Sequence, residues 1–180
     1  MDINFIVNLT SKAWALNILA LMHSGVSGRQ APLLAATSAS RTSFAASLDH
    51  LIRLGLLEKN PGHGHPLRPE FRLTEAGANA AQTASRIVGA VPDESEFAIL
   101  RRSWPVPILA LTAERQRYSA LKSGLVKITD RALSNSLRML EERKWLKREI
   151  DTSERAPFPT YQAVNTGRMV NSAIGLSVAP

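Results

Sequence analysis

Arg131, Ser134, Asn135 and Arg138 fall at i, i+3, i+4 and i+7 of the run R-A-L-S-N-S-L-R, so they share one face if that run is helical. The face is polar, basic and free of acid. Each guanidinium is a fork of N–H donors, and the carboxamide both donates and accepts. Such groups match base edges in a DNA major groove, arginine pairing with guanine and asparagine with adenine. A solvated helix face has much the same makeup, so the pattern gains weight only from its surroundings. Leu133, Leu137 and Leu140 form the opposite, apolar stripe of the same helix. Thr129 can cap this helix and touch a phosphate, and Ser119 is a second candidate phosphate contact near a helix start.

No catalytic or metal pattern competes with that face. With 0 Cys, thiolate metal sites, thiol nucleophiles and disulfides are excluded. There is no Walker A, G-x-G-x-x-G, G-x-S-x-G or H-E-x-x-H pattern. His63-Gly64-His65 has two ligand-type side chains, but no carboxylate lies near them in sequence, and the flanking Gly and Pro explain the segment as a turn. Glu141 and Glu142 fit a solvated helix end. The expectation is a protein without enzymatic activity and without a cofactor.

The 22 Lys+Arg and 15 Asp+Glu give a net charge of +7, shared as +3 over residues 1–90 and +4 over 91–180. An excess of this size points to a polyanionic partner, most often nucleic acid. Asp2 stands where a secretory signal would be positive, and Lys12 and Asn17 interrupt the apolar stretch that follows. No window offers about 20 predominantly apolar residues, so neither a signal peptide nor a membrane partner is expected and the location expected is cytoplasmic.

An internal repeat organises the chain. W-A-L-N-I-L-A-L (14–21) recurs as W-P-V-P-I-L-A-L (104–111), and P-E-F-R-L-T-E-A-G (69–77) as P-T-Y-Q-A-V-N-T-G (159–167), both at offset 90. Between them, Ser47, Leu48, Leu51 and Leu57 align with Ser136, Leu137, Leu140 and Leu146 at offset 89. A period near 90 is too long for a solenoid and suits a duplicated domain, so repeats at 1–90 and 91–180 are expected.

Within the second repeat the pattern predicts an apolar helix over about 97–111 that restarts or kinks near Trp104 because of Pro105 and Pro107. A short helix over 118–123 follows, with Gly124 as its C-cap, then a third helix from Thr129, strands near 145–150 and 161–164, and a last helix from about Thr166. The first repeat gives helices over 11–24, 31–36 and 40–54, strands at 56–59 and 70–73 and a helix over 74–89. The fold class expected is mainly α with small β-hairpin wings, two tandem winged helix-turn-helix domains.

The second repeat resembles the HxlR-type winged-helix transcriptional regulators, relatives of MarR-like proteins. The likeness is carried by Trp104 followed by I-L-A-L, by Y-S-A-L, by I-T-D-R-A-L-S-N-S-L-R-M-L-E, and by the Pro-x-Tyr strand with its closing Gly; it covers about 98–170. The first repeat matches more weakly, through Trp14, G-L-L-E-K and F-R-L-T-E-A-G. The resemblance implies a regulator of transcription whose partner is double-stranded DNA. Family members are typically single winged-helix domains that dimerise through terminal helices, whereas two copies share this chain. Many carry an N-terminal sensing cysteine; this chain has none, so that mode of sensing does not carry over.

The resemblance assigns Arg131, Ser134, Asn135 and Arg138 to the major groove, and Arg148, Arg155 and Arg68 of the two wings to phosphates or the minor groove. Asp151 and Glu154 partly cancel the second wing. At offset 89 the four reader positions become Thr42, Ala45, Ala46 and Asp49, a small face with an acid, so a non-palindromic site read mainly by the second repeat is expected. Ser38, Ser40, Arg41 and Ser43 leave the first repeat able to touch phosphate. The chain is expected as a monomeric pseudo-dimer or a homodimer, with the helix 74–89 (Ala76, Ala80, Ala84, Ile87, Val88) and residues 169–178 as candidate faces between repeats or chains, or as ordinary domain packing. A small-molecule effector is not specified. Two other classes fit paired winged helices: a protein–protein assembly subunit, and a plasmid-type replication initiator.

Overall fold

Helix α1 (Ile3–Leu9) opens the chain, followed by α2 (Ala15–His23), α3 (Gln30–Thr37), α4 (Arg41–Arg53), strands β1 (Leu57–His65) and β2 (Arg68–Leu73), and α5 (Glu75–Gly89). A 3-10 turn at Glu94–Glu96 then leads into α6 (Phe97–Leu100), α7 (Pro105–Leu111), β3 (Gln116–Arg117), α8 (Tyr118–Gly124), α9 (Asp130–Glu142), β4 (Leu146–Asp151), β5 (Phe158–Ala163) and α10 (Asn165–Ile174). This computed structural model describes residues 2–65, 68–91 and 93–175, excepting the side chains of 61–65 and 68. Two compact units result: Lys12–Gly89, and Met1–Ser11 together with Ala90–Pro180.

In the first unit the third helix, α4, buries Phe44, Leu48 and Leu51 at helical spacing. Ser40 caps its start, accepting the Ser43 amide at 3.3 Å. Helix α2 packs mainly on α5, which buries Ala80, Ala84 and Ile87 and leaves Ala76 exposed. Small residues on α5 thus serve close packing inside the unit. The hairpin is longer than the strands at 56–59 and 70–73 read from sequence. After an irregularity between Lys59 and Gly64, antiparallel pairing resumes at Gly64↔Pro69 and His65↔Arg68. Residues 60–65 of the Gly/Pro stretch that looks like a loop thus continue β1.

The second unit has the same succession, with differences that trace to particular residues. Pro105 stands at the first position of α7, where no backbone donor is needed, so the apolar run breaks into α6 and α7 around Arg101–Trp104. Gly124 is the last residue of α8 rather than a left-handed cap after it; a Cβ there would lie 2.8 Å from Leu111 Cδ1. The two-residue β3 adds an edge that sequence reading lacked, giving the sheet order β3-β5-β4. Helix α1 also escaped that reading, because seven residues are too few to display a period. It is capped by Asp2, which accepts the Phe5 amide at 3.0 Å, and it buries Ile6 and Leu9. The repeat groups this segment with residues 12–90, but α1 packs on α7, and the Thr10 hydroxyl donates to Ser103 O at 2.8 Å.

The two repeats share backbone devices as well as residues. Gly55 (φ +69°) and Lys144 (φ 58°) follow α4 and α9 in the left-handed region and turn the chain into the wing. Thr74 Oγ1 donates to Gly55 O at 2.7 Å and Asn165 Nδ2 to Lys144 O at 3.0 Å. Lysine at a left-handed position is strained where glycine is not. Lys144→Gly is therefore expected to stabilise the second unit by about 1 kcal/mol, after allowance for glycine's greater unfolded-chain entropy. A urea midpoint that is unchanged or lowered would contradict this.

Candidate nucleic-acid interface

Helix α9 is built as its sequence suggests. Thr129 Oγ1 accepts the Ala132 amide at 3.2 Å, and Leu133, Leu137 and Leu140 are buried. That leaves Arg131, Ser134, Asn135 and Arg138 exposed together on the other side. Arg131 has no hydrogen-bond or ion-pair partner among the described residues. Arg138 Nη2 donates to Asn135 Oδ1 at 3.4 Å, so these two side chains form a pair along the face.

The seat of α9 depends on two residues that sequence reading did not single out. Tyr118 and Lys122 lie one turn apart on α8. Tyr118 Oη donates to Asp130 O at 3.1 Å and lies 3.3 Å from both Asp130 Oδ1 and Ser134 Oγ. Lys122 Nζ donates to Ile128 O at 2.6 Å and pairs with Asp130 at 3.2 Å. The signal available in sequence was the Tyr-x-x-x-Lys spacing on α8 facing an acid at the next helix start. Removing the hydroxyl in Tyr118→Phe should cost about 1 kcal/mol of stability, the net worth of a hydrogen bond. An unchanged thermal midpoint would count against the clamp.

In the second wing, Arg117 is held over the Phe158 ring with its guanidinium carbon 3.7 Å from the centroid, and it pairs with Glu154 at 2.5 Å. Glu154 thus offsets Arg117 within this wing. Asp151 accepts the Ser153 amide at 2.9 Å. Hydrogen bonds from Ser153, helped by Arg117 and Arg115, hold its carboxyl below the ordinary aspartate range. The Lys147 ammonium does the same for Glu149, with Arg115 adding to it at 2.6 Å. Arg148 and Arg155 remain exposed, with no ion-pair partner among the described residues.

Ser119 and Thr129 are both exposed at helix starts of this unit, Thr129 already serving as a cap. In the first unit Ser38, Ser40, Arg41 and Ser43 are all exposed around the start of α4. Ser38 ends α3 in the left-handed region (φ 55°). The face of α4 that corresponds to the α9 readers carries exposed Thr42, Ala45 and Asp49 and half-buried Ala46. Arg68 lies in β2 with its side chain outside the described residues, as are the side chains of His63 and His65, and residues 176–178 lie outside them as well. Among the described residues no group of three or more His, Asp or Glu side chains is placed to hold a metal, and no helix is long and apolar enough to cross a membrane.

Three helices, the third exposing donors and leading into a β-hairpin and a closing helix, define a winged helix-turn-helix, a class of DNA-binding domain. The whole chain is mainly helical with two small antiparallel sheets, an architecture consistent with two such units. Residues 99–176 match the family model described as HxlR-like helix-turn-helix. That span lies in the second unit, which is thus similar to an HxlR-like helix-turn-helix domain. The first unit lies outside the matched span. No curated protein and no solved structure matches the chain.

Proposed function

We propose that this chain regulates transcription by binding double-stranded DNA through tandem winged helices, with α9 in the major groove and the β4–β5 wing on the backbone beside it. The observation that carries the reading is the exposed face of α9, where Arg131, Asn135 and Arg138 stand together above a buried leucine stripe. Charge along α9 favours entry by its N-terminal half, since Glu141 and Glu142 at the far end repel phosphate. Ser119 and Thr129 at helix starts, with Arg148 and Arg155 on the wing, supply backbone contacts that set register.

The first unit plays a supporting part in this scheme. Its α4 face has no bidentate donor, so Ser38, Ser40, Arg41, Ser43 and Arg68 contribute phosphate contacts rather than base selection. A second winged helix in the same chain raises local concentration without an encounter step, and unequal readers give a non-palindromic site. The bland α4 face also favours a second reading, in which the first unit is an assembly surface.

Salt separates the two. Binding of the full chain to random-sequence duplex DNA should weaken linearly on a log–log plot, with a slope of about −0.9 per phosphate neutralised. Binding that ignores salt, or none, would leave the assembly reading.

A further inference from the structure

We infer that the β4–β5 wing selects A·T base pairs in the DNA minor groove through Ile150, with Arg148 beside it; the inference rests on the DNA-binding reading above. The two faces of the wing are unequal. Arg148 is paired with Tyr161, Glu149 with Thr160 and Ile150 with Pro159, so strand alternation puts Leu146, Arg148 and Ile150 on one face and Lys147, Glu149 and Asp151 on the other. On the Glu149 face each cation meets an acid. Lys147 and Arg115 pair with Glu149 at 2.5 and 2.6 Å, and Arg117, with Asp151 nearby, pairs with Glu154 at 2.5 Å. The Arg117 guanidinium also covers the Phe158 ring, 3.7 Å from its centroid, so the apolar residue on that side of the tip is already capped.

The opposite face is basic and open. Leu146, Tyr161 and Ala163 are buried at its inner end, and Arg148 and Ile150 emerge beyond them. Ile150 is 51% exposed, Arg148 has no ion-pair partner among the described residues, and neither strand places an acid on this face. Because β4 is an edge in the order β3-β5-β4, no further strand among the described residues lies beside this pair. An exposed apolar side chain next to an uncompensated guanidinium fits a narrow cleft with polyanionic walls and an uncharged floor. The minor groove over A·T pairs is such a cleft, and its floor carries only the acceptors adenine N3 and thymine O2, which Arg148 can meet. Guanine adds its N2 amino group there, a donor that faces the guanidinium and fills the space isoleucine would take. Beneath an apolar side chain that group loses its water and gains no partner. Arg148 and Ile150 stand about 7 Å apart along the strand, which matches about two base-pair steps. The wing is thus expected to add a short A·T step beside the sequence under α9.

The test is selection from a random-duplex pool by the full chain, as wild type and as Ile150→Thr, which keeps β-branching but whose hydroxyl can accept from guanine N2. The wild type is expected to enrich A·T pairs beside the positions read by α9. Ile150→Thr is expected to lose that enrichment and keep the α9 positions, which shows that the variant is folded. The selected duplex is then remade with its flanking A·T pairs replaced by G·C or by inosine·C, which keeps the major-groove groups of G·C but lacks the N2 amino group. For the wild type, G·C is expected to cost about tenfold in affinity and inosine·C less than about twofold, whereas for Ile150→Thr both should cost less than about threefold. Lys147→Ser, on the neutralised face, should keep the wild-type preference. No flanking preference, inosine·C binding as weakly as G·C, an unchanged preference in Ile150→Thr, or its loss in Lys147→Ser overturns the inference and leaves DNA binding intact. Failure of the wild type to bind any duplex overturns both.

Discussion

Gly167→Ala is expected to destabilise the second unit by about 3 kcal/mol or more, the upper end of overpacking costs. A Cβ at Gly167 would sit 2.0 Å from Trp145 O, 2.8 Å from Trp145 C and 3.0 Å from Leu109 Cδ2. The oxygen cannot simply move aside, because it accepts the Val164 amide at 3.0 Å and belongs to a fully buried tryptophan at the wing entrance. The first unit repeats the arrangement. A Cβ at Gly77 would lie 1.9 Å from Leu56 O, which accepts the Thr74 amide at 3.1 Å. Gly89 is the control: a Cβ there meets nothing within 4 Å, so Gly89→Ala should be neutral or stabilising by up to about 1 kcal/mol. Thermal unfolding of the three variants checks this. Gly167→Ala melting with the wild type would refute the close approach.

Removing both Arg131 and Arg138 by substitution with Ala should weaken binding to a specific duplex by about 2–6 kcal/mol, since each base-reading arginine is worth about 1–3 kcal/mol. Both side chains are exposed, so the melting temperature should barely change, and loss of binding cannot be blamed on loss of fold. Thr42→Ala, at the equivalent face of α4, should change affinity by no more than about 0.5 kcal/mol, the usual range for a surface substitution. A gel-shift titration separates these cases. Undiminished affinity in the double variant would mean that α9 is not the reader.

Much of this architecture was legible in the residues. Leucines at helical spacing announce α9, Thr129 announces its cap, and Pro105 announces the restart at α7; each is a local signal carried by a residue type with few alternatives. The alignment of Gly77 with Gly167 was legible too, but its reason was not, because the approach of Leu56 O and Trp145 O is a tertiary fact. Helix α1 was missed for want of length, and β3 because two residues carry no alternation. The reading face itself came from spacing alone. Its internal pairing did not: that Arg138 holds Asn135, and Tyr118 reaches both Asp130 and Ser134, depends on rotamers and on the placement of α8. Glu154 shows the same limit, since its partner Arg117 is 37 residues away in sequence.

With 0 Cys in the chain, a single introduced cysteine is a unique attachment point for a photo-crosslinker. Ser134→Cys on α9 and Ala45→Cys on α4 place it at equivalent exposed positions of the two units. Irradiated with bound duplex DNA, the Ser134→Cys protein is predicted to crosslink to bases through the major groove, and the Ala45→Cys protein weakly or not at all. No crosslink from position 134, or a stronger one from position 45, would contradict the assignment of α9 as the DNA reader.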